Sequence, residues 1–200
     1  MDPARDVPEA LGSHPAVRRV RLVGSRGEGR AHELSDWDFL LFTDEFEDVA
    51  RGLPRLVEPL EPLSKLWDPY SDRACYMLML RGPTKIDLIF PSEKREWAGE
   101  WEPSAGTLAD IDCHFWDWIL WLEQKRRGGR TQQLEKSLGD MFRLLLRPMG
   151  VRAEPASVAD AVAAYLGARD ELEARFGVAL SRVLEREVRP VISNEGRERL

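Results

Sequence analysis

Residues 20–42 read VRLVGSRGEGRAHELSDWDFLLF. An apolar run ends at Gly24, and the next apolar run begins with Asp36 and Asp38, one residue apart. Aspartate is depleted in β-strands, so two aspartates at the start of a strand-like run need an explanation. Side chains alternate between the two faces of a strand, so the pattern predicts both carboxylates on one face and Trp37 on the other.

Two carboxylates held this close repel each other unless a positive charge lies between them. Mg²⁺ prefers oxygen ligands and is commonly held by one or two carboxylates together with substrate phosphates. The pair therefore indicates either a magnesium site or an exposed strand edge with solvated charges. A short acidic motif on its own does not decide between these two interpretations.

Two further features bear on that choice. Gly27 and Gly29 follow the first glycine, and small residues at a strand-to-helix turn let backbone N–H groups approach a phosphate closely. An ordinary surface loop is the alternative. The run TKIDLIF at 84–90 places Asp87 in the middle of an apolar strand. A carboxylate in such surroundings needs a partner, and a metal ion held by the first two aspartates would be one.

Composition limits the class of partner. The chain has 200 residues, of which 43% are hydrophobic and 32% charged, with a net charge of −6 and a pI near 5.3. Proteins that bind the nucleic-acid backbone normally carry a basic surface, so this balance argues against a nucleic-acid partner. It favours a small or cationic partner.

The same sequence carries no sign of export or of a membrane anchor. Its first residues lack the basic and apolar segments of a secretory signal, and no apolar stretch is long enough to span a bilayer. Cys75 and Cys113 lie in apolar surroundings and are predicted to be reduced, buried thiols. We expect a cytoplasmic protein.

The pattern along the chain predicts an α+β first half and a helical second half. Strand-like runs occupy 17–23, 37–42, 63–67, 75–80 and 84–90, a helix is expected in the first half of 44–57, and helices are expected at 107–127, 131–146, 157–177 and 178–188. Capping-box patterns begin at Thr107 and Ser157. The polar stretch 91–106 predicts a crossing between two domains, residues 1–104 and 105–200.

The spacing of Gly24-Ser25, ten residues, Asp36-Trp37-Asp38 and a later apolar-Asp-apolar strand resembles the DNA polymerase β-like nucleotidyltransferase superfamily. Within it, residues 24–42 look most like the minimal and antibiotic (aminoglycoside-type) nucleotidyltransferases, whose motif runs Gly-Ser, a glycine-rich turn, Ser-Asp-x-Asp. The resemblance covers residues 17–90 and implies a mixed β-sheet with flanking helices. Trp37 departs from the usual aliphatic residue, which affects packing more than chemistry.

The resemblance also implies roles for the motif residues. Asp36 and Asp38 would hold two Mg²⁺ ions, and Asp87 would complete one metal site and lie close to the attacking hydroxyl. Gly24 and Ser25 would hold the β- and γ-phosphates of a nucleoside triphosphate, ATP in the first instance. The reaction would be in-line attack of an acceptor hydroxyl on the α-phosphorus with loss of pyrophosphate, which a pair of metal ions suits.

Three basic residues are candidates for the same nucleotide. Arg26 and Arg30 are candidate phosphate contacts by charge and position, and the alternative is that they only cover the loop. Lys136 is a candidate for reaching the triphosphate, and a solvated helix lysine is the alternative interpretation. The sequence leaves both questions open.

The predicted helix 107–127 carries a polar stripe. Asp110, His114 and Asp117 recur at helical spacing between apolar flanks, which suggests a face turned toward a cleft. Two carboxylates and a histidine would suit a cationic, hydroxyl-bearing acceptor such as an amino sugar, and one acid could serve as general base. The alternative is that each of these side chains is held by partners within the helical half.

Three functions are open at this stage. The first is a magnesium-dependent nucleotidyltransferase that moves AMP, or another nucleoside monophosphate, onto a hydroxyl of a small aminoglycoside-like molecule. The second is a protein-modifying AMP transferase of the antitoxin type, and the third is a catalytically silent nucleotide-binding module. All three acidic positions are present, which counts against the third. The identity of the acceptor, the choice of base and the oligomeric state are not predicted.

Overall fold

The computed structural model describes residues 1–192. The chain divides into two compact units, Met1–Ala98 and Gly99–Leu200. The predicted helical domain extends to residue 200, and its part from 193 to 200 lies outside the described residues. Within the described part of the chain, no helix is both long enough and apolar enough to cross a membrane.

The first unit is a five-stranded mixed sheet with helices, as the α+β prediction requires. Its elements in chain order are α1 (Pro3–Gly12), β1 (Val17–Val23), α2 (Gly24–Gly27), β2 (Trp37–Thr43), α3 (Phe46–Leu56), a 3₁₀ turn (Glu58–Leu60), β3 (Ser64–Trp67), β4 (Arg73–Leu80) and β5 (Thr84–Lys94). The strand order is β1-β2-β5-β4-β3. Only β2 and β5 pair in parallel, because the chain runs through α3, β3 and β4 before it returns beside β2.

The alternation of side chains divides the sheet into two faces with different chemistry. Phe39 and Leu41 of β2 and Leu88 of β5 are almost fully buried and pack in one cluster with apolar residues of α1 and α3. The neighbouring positions, Asp38 and Asp87, belong to the opposite face and are half-buried. Burial of the apolar face against helices therefore fixes which way the carboxylates point.

The boundary between the units lies earlier in the chain than the predicted domain boundary at 104/105. Strand β5 continues to Lys94, inside the segment predicted as a crossing, and the N–H of Ala98 then donates to the carbonyl of Pro69 (2.8 Å). In contrast, the N–H of Trp101 donates to the carbonyl of Leu144 (2.9 Å) in the second unit. Backbone hydrogen bonds thus assign each half of the polar segment to one unit.

The second unit is helical, as predicted. Its elements are α4 (Leu108–Arg127), α5 (Thr131–Met141), a π-helical turn (Phe142–Leu146), α6 (Val158–Phe176) and α7 (Val183–Ile192). The predicted cap of α6 is confirmed: the Ser157 hydroxyl accepts from the N–H of Asp160 (3.1 Å), which satisfies one donor of the first turn. At its other end Gly177 adopts φ +65°, the left-handed conformation typical of a helix stop.

Two helix starts differ from the prediction. Thr107 does not cap α4, because its hydroxyl accepts from the N–H of Ser104 (3.0 Å) and donates to the carbonyl of Glu102 (2.6 Å), so both of these bonds lie in the preceding turn. Helix α7 begins at Val183 rather than near 178. Glu173 accepts from the N–H of Leu180 (2.5 Å) and from the Arg182 guanidinium (2.8 Å), and these bonds hold the intervening chain outside the helix.

Candidate functional site

The turn after β1 brings the backbone of Gly24 against the Asp38 side chain. Val23 and Asp38 are register partners in the β1–β2 pair, so the chain that leaves β1 passes directly beside the carboxylate. A Cβ on Gly24 would lie 2.1 Å from Oδ2 of Asp38, and Gly24 has φ +65°. Both facts require glycine, since any side chain would collide and the backbone angle is unfavourable for other residues.

The turn that follows is shorter than the sequence suggested. Helix α2 is one turn of four residues, Gly24–Gly27, too short to form a strong helix dipole at its N-terminus. Ser25 is half-buried in this turn. The phosphate contacts expected of Gly24 and Ser25 would therefore come from local backbone and hydroxyl groups, and they remain a prediction.

The three predicted aspartates belong to one end of the β2–β5 pair. Asp38 and Asp87 are direct register partners in this parallel pair. Asp36 immediately precedes β2, and its Oδ2 lies 3.8 Å from the Nζ of Lys85, which is also 3.4 Å from Oδ2 of Asp87. The structure therefore brings together carboxylates that are far apart in the sequence.

Lys85 is a member of this site that the sequence analysis did not single out. It precedes Asp87 by two positions on β5, so both side chains leave the same face of the strand. Its side chain is 9% exposed, and those of Asp36 and Asp87 are 13% and 16% exposed. The available signal was a lysine at i−2 of an aspartate within an apolar strand.

Asp68 is a fourth carboxylate near the group, and it too was not singled out from the sequence. It follows β3, accepts a hydrogen bond at Oδ1 from the N–H of Tyr70 (2.8 Å), and interacts electrostatically with Lys85. Burial raises the pKa of the Asp68 carboxyl above its usual value, with the Tyr70 hydrogen bond and the lysine charge acting in the opposite direction. Its position directly after a strand was the available sequence signal.

The donor set suits a hard divalent cation. Among residues 1–192, no group of three or more His, Cys, Asp or Glu side chains is arranged to hold a metal ion. Mg²⁺, however, is commonly held by one or two carboxylates with substrate phosphates as the other ligands. Asp36 and Asp87 already lie around a single ammonium, so the residues present fit a cation in chemistry and charge.

Arg26 is held by the loop that links the glycine turn to β2. Its Nε donates to the carbonyl of Ser35 (2.8 Å), and its guanidinium lies 4.1 Å from the centroid of the Trp37 ring. Burial lowers the pKa of this guanidinium, and the charge of Asp36 opposes that shift. This geometry favours the loop-covering alternative, and a phosphate contact by Arg26 remains a prediction.

Arg26→Ala is expected to lower the free energy of unfolding by about 1–2 kcal/mol, because two loop carbonyls lose a charged donor. Arg30→Ala is the matched control, since Arg30 is exposed and pairs with Glu28 on the same loop; it should change stability little. Urea unfolding measures both. Unchanged stability with a raised KM for the nucleotide in Arg26→Ala would contradict the structural role.

The remaining predicted residues lie in the helical unit. Lys136 is exposed on α5, and its nucleotide role stays a prediction. Asp110 is exposed in the first turn of α4, and partial burial raises the pKa of its carboxyl. His114 and Asp117 are 4% and 7% exposed.

The partners of His114 determine the tautomer of its neutral imidazole. The indole N–H of Trp101 donates to Nδ1 of His114 (3.0 Å), and the imidazole stacks on Trp118 at 5.1 Å between centroids. An indole nitrogen can only donate, so Nδ1 carries no proton and a neutral His114 bears its proton on Nε2. The histidine of the predicted stripe is therefore held by aromatic partners within the helical unit.

The same helix carries a buried ionic group that the sequence analysis did not single out. Asp112, 5% exposed, accepts hydrogen bonds from Tyr165 and Trp116, and Arg169 lies 4.0 Å away. Arg169, 4% exposed, also binds Glu185 of α7 (2.8 Å). Burial raises the pKa of Asp112 although these donors oppose it. These contacts join α4, α6 and α7 and give the group a structural role.

Comparisons with known proteins show which protein family the chain belongs to. No curated protein sequence matches it. An aminoglycoside 6-adenyltransferase from Bacillus subtilis is similar in structure over 90% of this chain and 92% of that chain, with 10% identity and a TM-score of 0.36. The family model of the nucleotidyltransferase domain matches residues 5–118, which include the glycine turn and all three aspartates. This match over more than half of its length makes the chain a member of the nucleotidyltransferase domain family.

Proposed function

We propose that this nucleotidyltransferase moves a nucleoside monophosphate, AMP from ATP in the first instance, onto a hydroxyl of a small, cationic, aminoglycoside-like molecule. The observation that carries the proposal is the register pairing of Asp38 with Asp87. Gly24 packs against Asp38, and Asp36 and Asp87 both lie near the ammonium of Lys85. A nucleotidyltransferase needs carboxylates beside a phosphate-binding turn, and the contact of Gly24 with Asp38 supports that arrangement in this chain.

The chemistry follows from what each group offers. Asp36, Asp38 and Asp87 would hold two Mg²⁺ ions, which stabilise negative charge on the entering and leaving oxygens during phosphoryl transfer. Gly24 lets the backbone of the turn pass directly against the Asp38 carboxylate, so a metal ion held by that carboxylate would lie next to a phosphate bound by the turn. The acceptor hydroxyl must lose a proton on attack, and the carboxylates of this sheet face are the available bases.

The acceptor class is inferred from charge and from the helical unit. The net charge of −6 favours a cationic acceptor over a nucleic acid. We propose that Asp110 and Asp117 of α4 contribute to its recognition. The oligomeric state is left open, and the cytoplasm is the proposed location because ATP and Mg²⁺ are both present there.

A direct assay separates this proposal from its alternatives. The protein is incubated with Mg²⁺, labelled ATP or GTP and a panel of aminoglycosides, and pyrophosphate release and acceptor labelling are followed. Labelling of an aminoglycoside supports the proposal. Labelling of a co-purified protein instead would favour the protein-modifying alternative, and nucleotide binding without turnover on any acceptor would favour the silent module.

Asp117→Asn is expected to raise the acceptor KM about tenfold, the effect of losing one charged contact, with ATP affinity unchanged. Asp112→Asn is the comparison variant, because its carboxylate holds Tyr165 and Trp116; it should lower the melting temperature and leave the acceptor KM alone. Steady-state kinetics and thermal melts measure both. A lower melting temperature with unchanged kinetics in Asp117→Asn would show that this residue too is structural.

A further inference from the structure

The ammonium of Lys85 lies close to two of the carboxylates that are proposed to hold metal ions. It is 3.8 Å from Asp36 and 3.4 Å from Asp87, and the lysine side chain is only 9% exposed. A buried ammonium is costly unless carboxylates surround it, and two carboxylates held together are costly unless a cation separates them. The lysine and the aspartates therefore stabilise one another in the folded unit.

The arrangement is built by the backbone rather than by a flexible surface side chain. Lys85 and Asp87 occupy the same face of β5, a strand hydrogen-bonded on both sides, to β2 and to β4. Lys85 is paired in register with Met79 of β4, which is 1% exposed. Close packing of this kind limits the directions in which the lysine stem can extend.

The net charge of the site limits how many divalent cations it can bind. Asp36, Asp38, Asp68 and Asp87 with Lys85 carry a net charge of −3 when all five are ionised, so one divalent cation leaves the group negative. A second divalent cation would leave the group positive unless phosphates enter with it. The ammonium also repels any divalent cation that approaches the carboxylates it contacts.

We propose that Lys85 is the resident cation of this site. It holds Asp36 and Asp87 together in the absence of metal, and it weakens the binding of a free divalent cation, so that metal ions enter together with the nucleotide triphosphate. This inference rests on the proposed metal-dependent function and adds a residue that controls when the metal binds.

Lys85→Met tests the proposal with readouts other than activity. Because the methionine keeps most of the stem and removes the charge, Mn²⁺ should bind the nucleotide-free variant about tenfold more tightly than wild type, as measured by calorimetry or by the electron paramagnetic resonance of free Mn²⁺. In EDTA the variant should melt about 5 °C or more below wild type. Mg²⁺ should reduce that deficit, because the ion then takes over the role of the lysine.

Two further variants control for side-chain loss and for misfolding. Lys94→Met removes an exposed lysine of the same strand and should match wild type in both measurements. Lys85→Arg keeps the charge and should retain weak Mn²⁺ binding, so it tests the proposal even if Lys85→Met does not fold.

The outcomes distinguish this inference from the function on which it rests. Wild-type protein that binds Mn²⁺ while Lys85→Met binds it no more tightly overturns the role of Lys85 alone. Tight Mn²⁺ binding by Lys85→Arg overturns it as well. If no variant and no wild-type protein binds Mn²⁺, with or without ATP, both the inference and the metal-dependent function fail.

Discussion

Asp38→Asn is expected to lower the rate of nucleotidyl transfer by about a thousandfold or more, the scale on which loss of a group that stabilises transition-state charge acts. The amide keeps the shape of the side chain beside Gly24 and opposite Asp87 but removes the negative charge that a metal ion requires. Folding should change little, because Asp38 is half-buried at the end of a strand. Pyrophosphate release with saturating ATP and acceptor measures the effect.

Asp44→Asn is the matched control for that variant. Asp44 follows the same strand, its side chain is 75% exposed, and it pairs with Arg18, which is 61% exposed. Exposed pairs of this kind contribute little to stability, so activity and melting temperature should stay near wild type. An Asp38→Asn protein as active as Asp44→Asn would remove Asp38 from the metal site.

Gly24→Ala is expected to lower kcat/KM at least about a hundredfold, since displacement of catalytic groups by about 1 Å has effects of that size. The new Cβ would stand 2.1 Å from Oδ2 of Asp38, so either the turn or the carboxylate must move. The positive φ of residue 24 adds backbone strain. Kinetics and a urea unfolding curve of the same sample separate the two effects.

Gly29→Ala isolates the strain from the collision. Gly29 has φ +68°, close to the value at Gly24, but a Cβ there would meet no atom within 4 Å. It should therefore lose stability comparable to the strain alone, about 1 kcal/mol, and keep its activity. Equal activity losses in the two alanine variants would mean that the contact with Asp38 has no catalytic importance.

Local pattern was sufficient for most elements of the fold. The short apolar runs at 17–23 and 37–42 predicted β1 and β2. Ser157 predicted the start of α6, and its hydroxyl accepts from the N–H of Asp160 as a capping residue does. The start of α4 was predicted to within a residue, but the proposed Thr107 cap was wrong, since that hydroxyl bonds the preceding turn.

What the sequence could not supply is the identity of partners from distant segments. Asp36, Asp38 and Asp87 were recognisable in the sequence as candidate metal ligands. Their proximity in space, however, depends on the register of the parallel β2–β5 pair. Lys85 looked like an ordinary charged residue until its strand was placed beside Asp36. Arg26 was proposed as a phosphate contact from its charge and position, and the folded loop shows which carbonyls it binds.

Tertiary contacts also determine which side chains of the polar stripe on α4 are already held by other residues of the protein. Helical spacing placed Asp110, His114 and Asp117 together, yet it did not reveal that Trp101 holds the histidine. Asp112, one of the most buried charges of the unit, was not singled out because its partner Arg169 is a helix away. Helical periodicity in the sequence shows which residues share a face of the helix, but it does not show which other residues contact that face.

The parallel pairing of β2 with β5 has a consequence for how the protein folds. The segment that contains α3, β3 and β4 lies between the two strands in the sequence. Bringing the ends of such a long segment together costs conformational entropy before the contacts between the strands can form. We therefore expect the site of Asp36, Asp38 and Asp87, which joins segments distant in the sequence, to form late in folding. Recovery of activity during refolding would consequently report on the finished sheet, with no partly active intermediate preceding it.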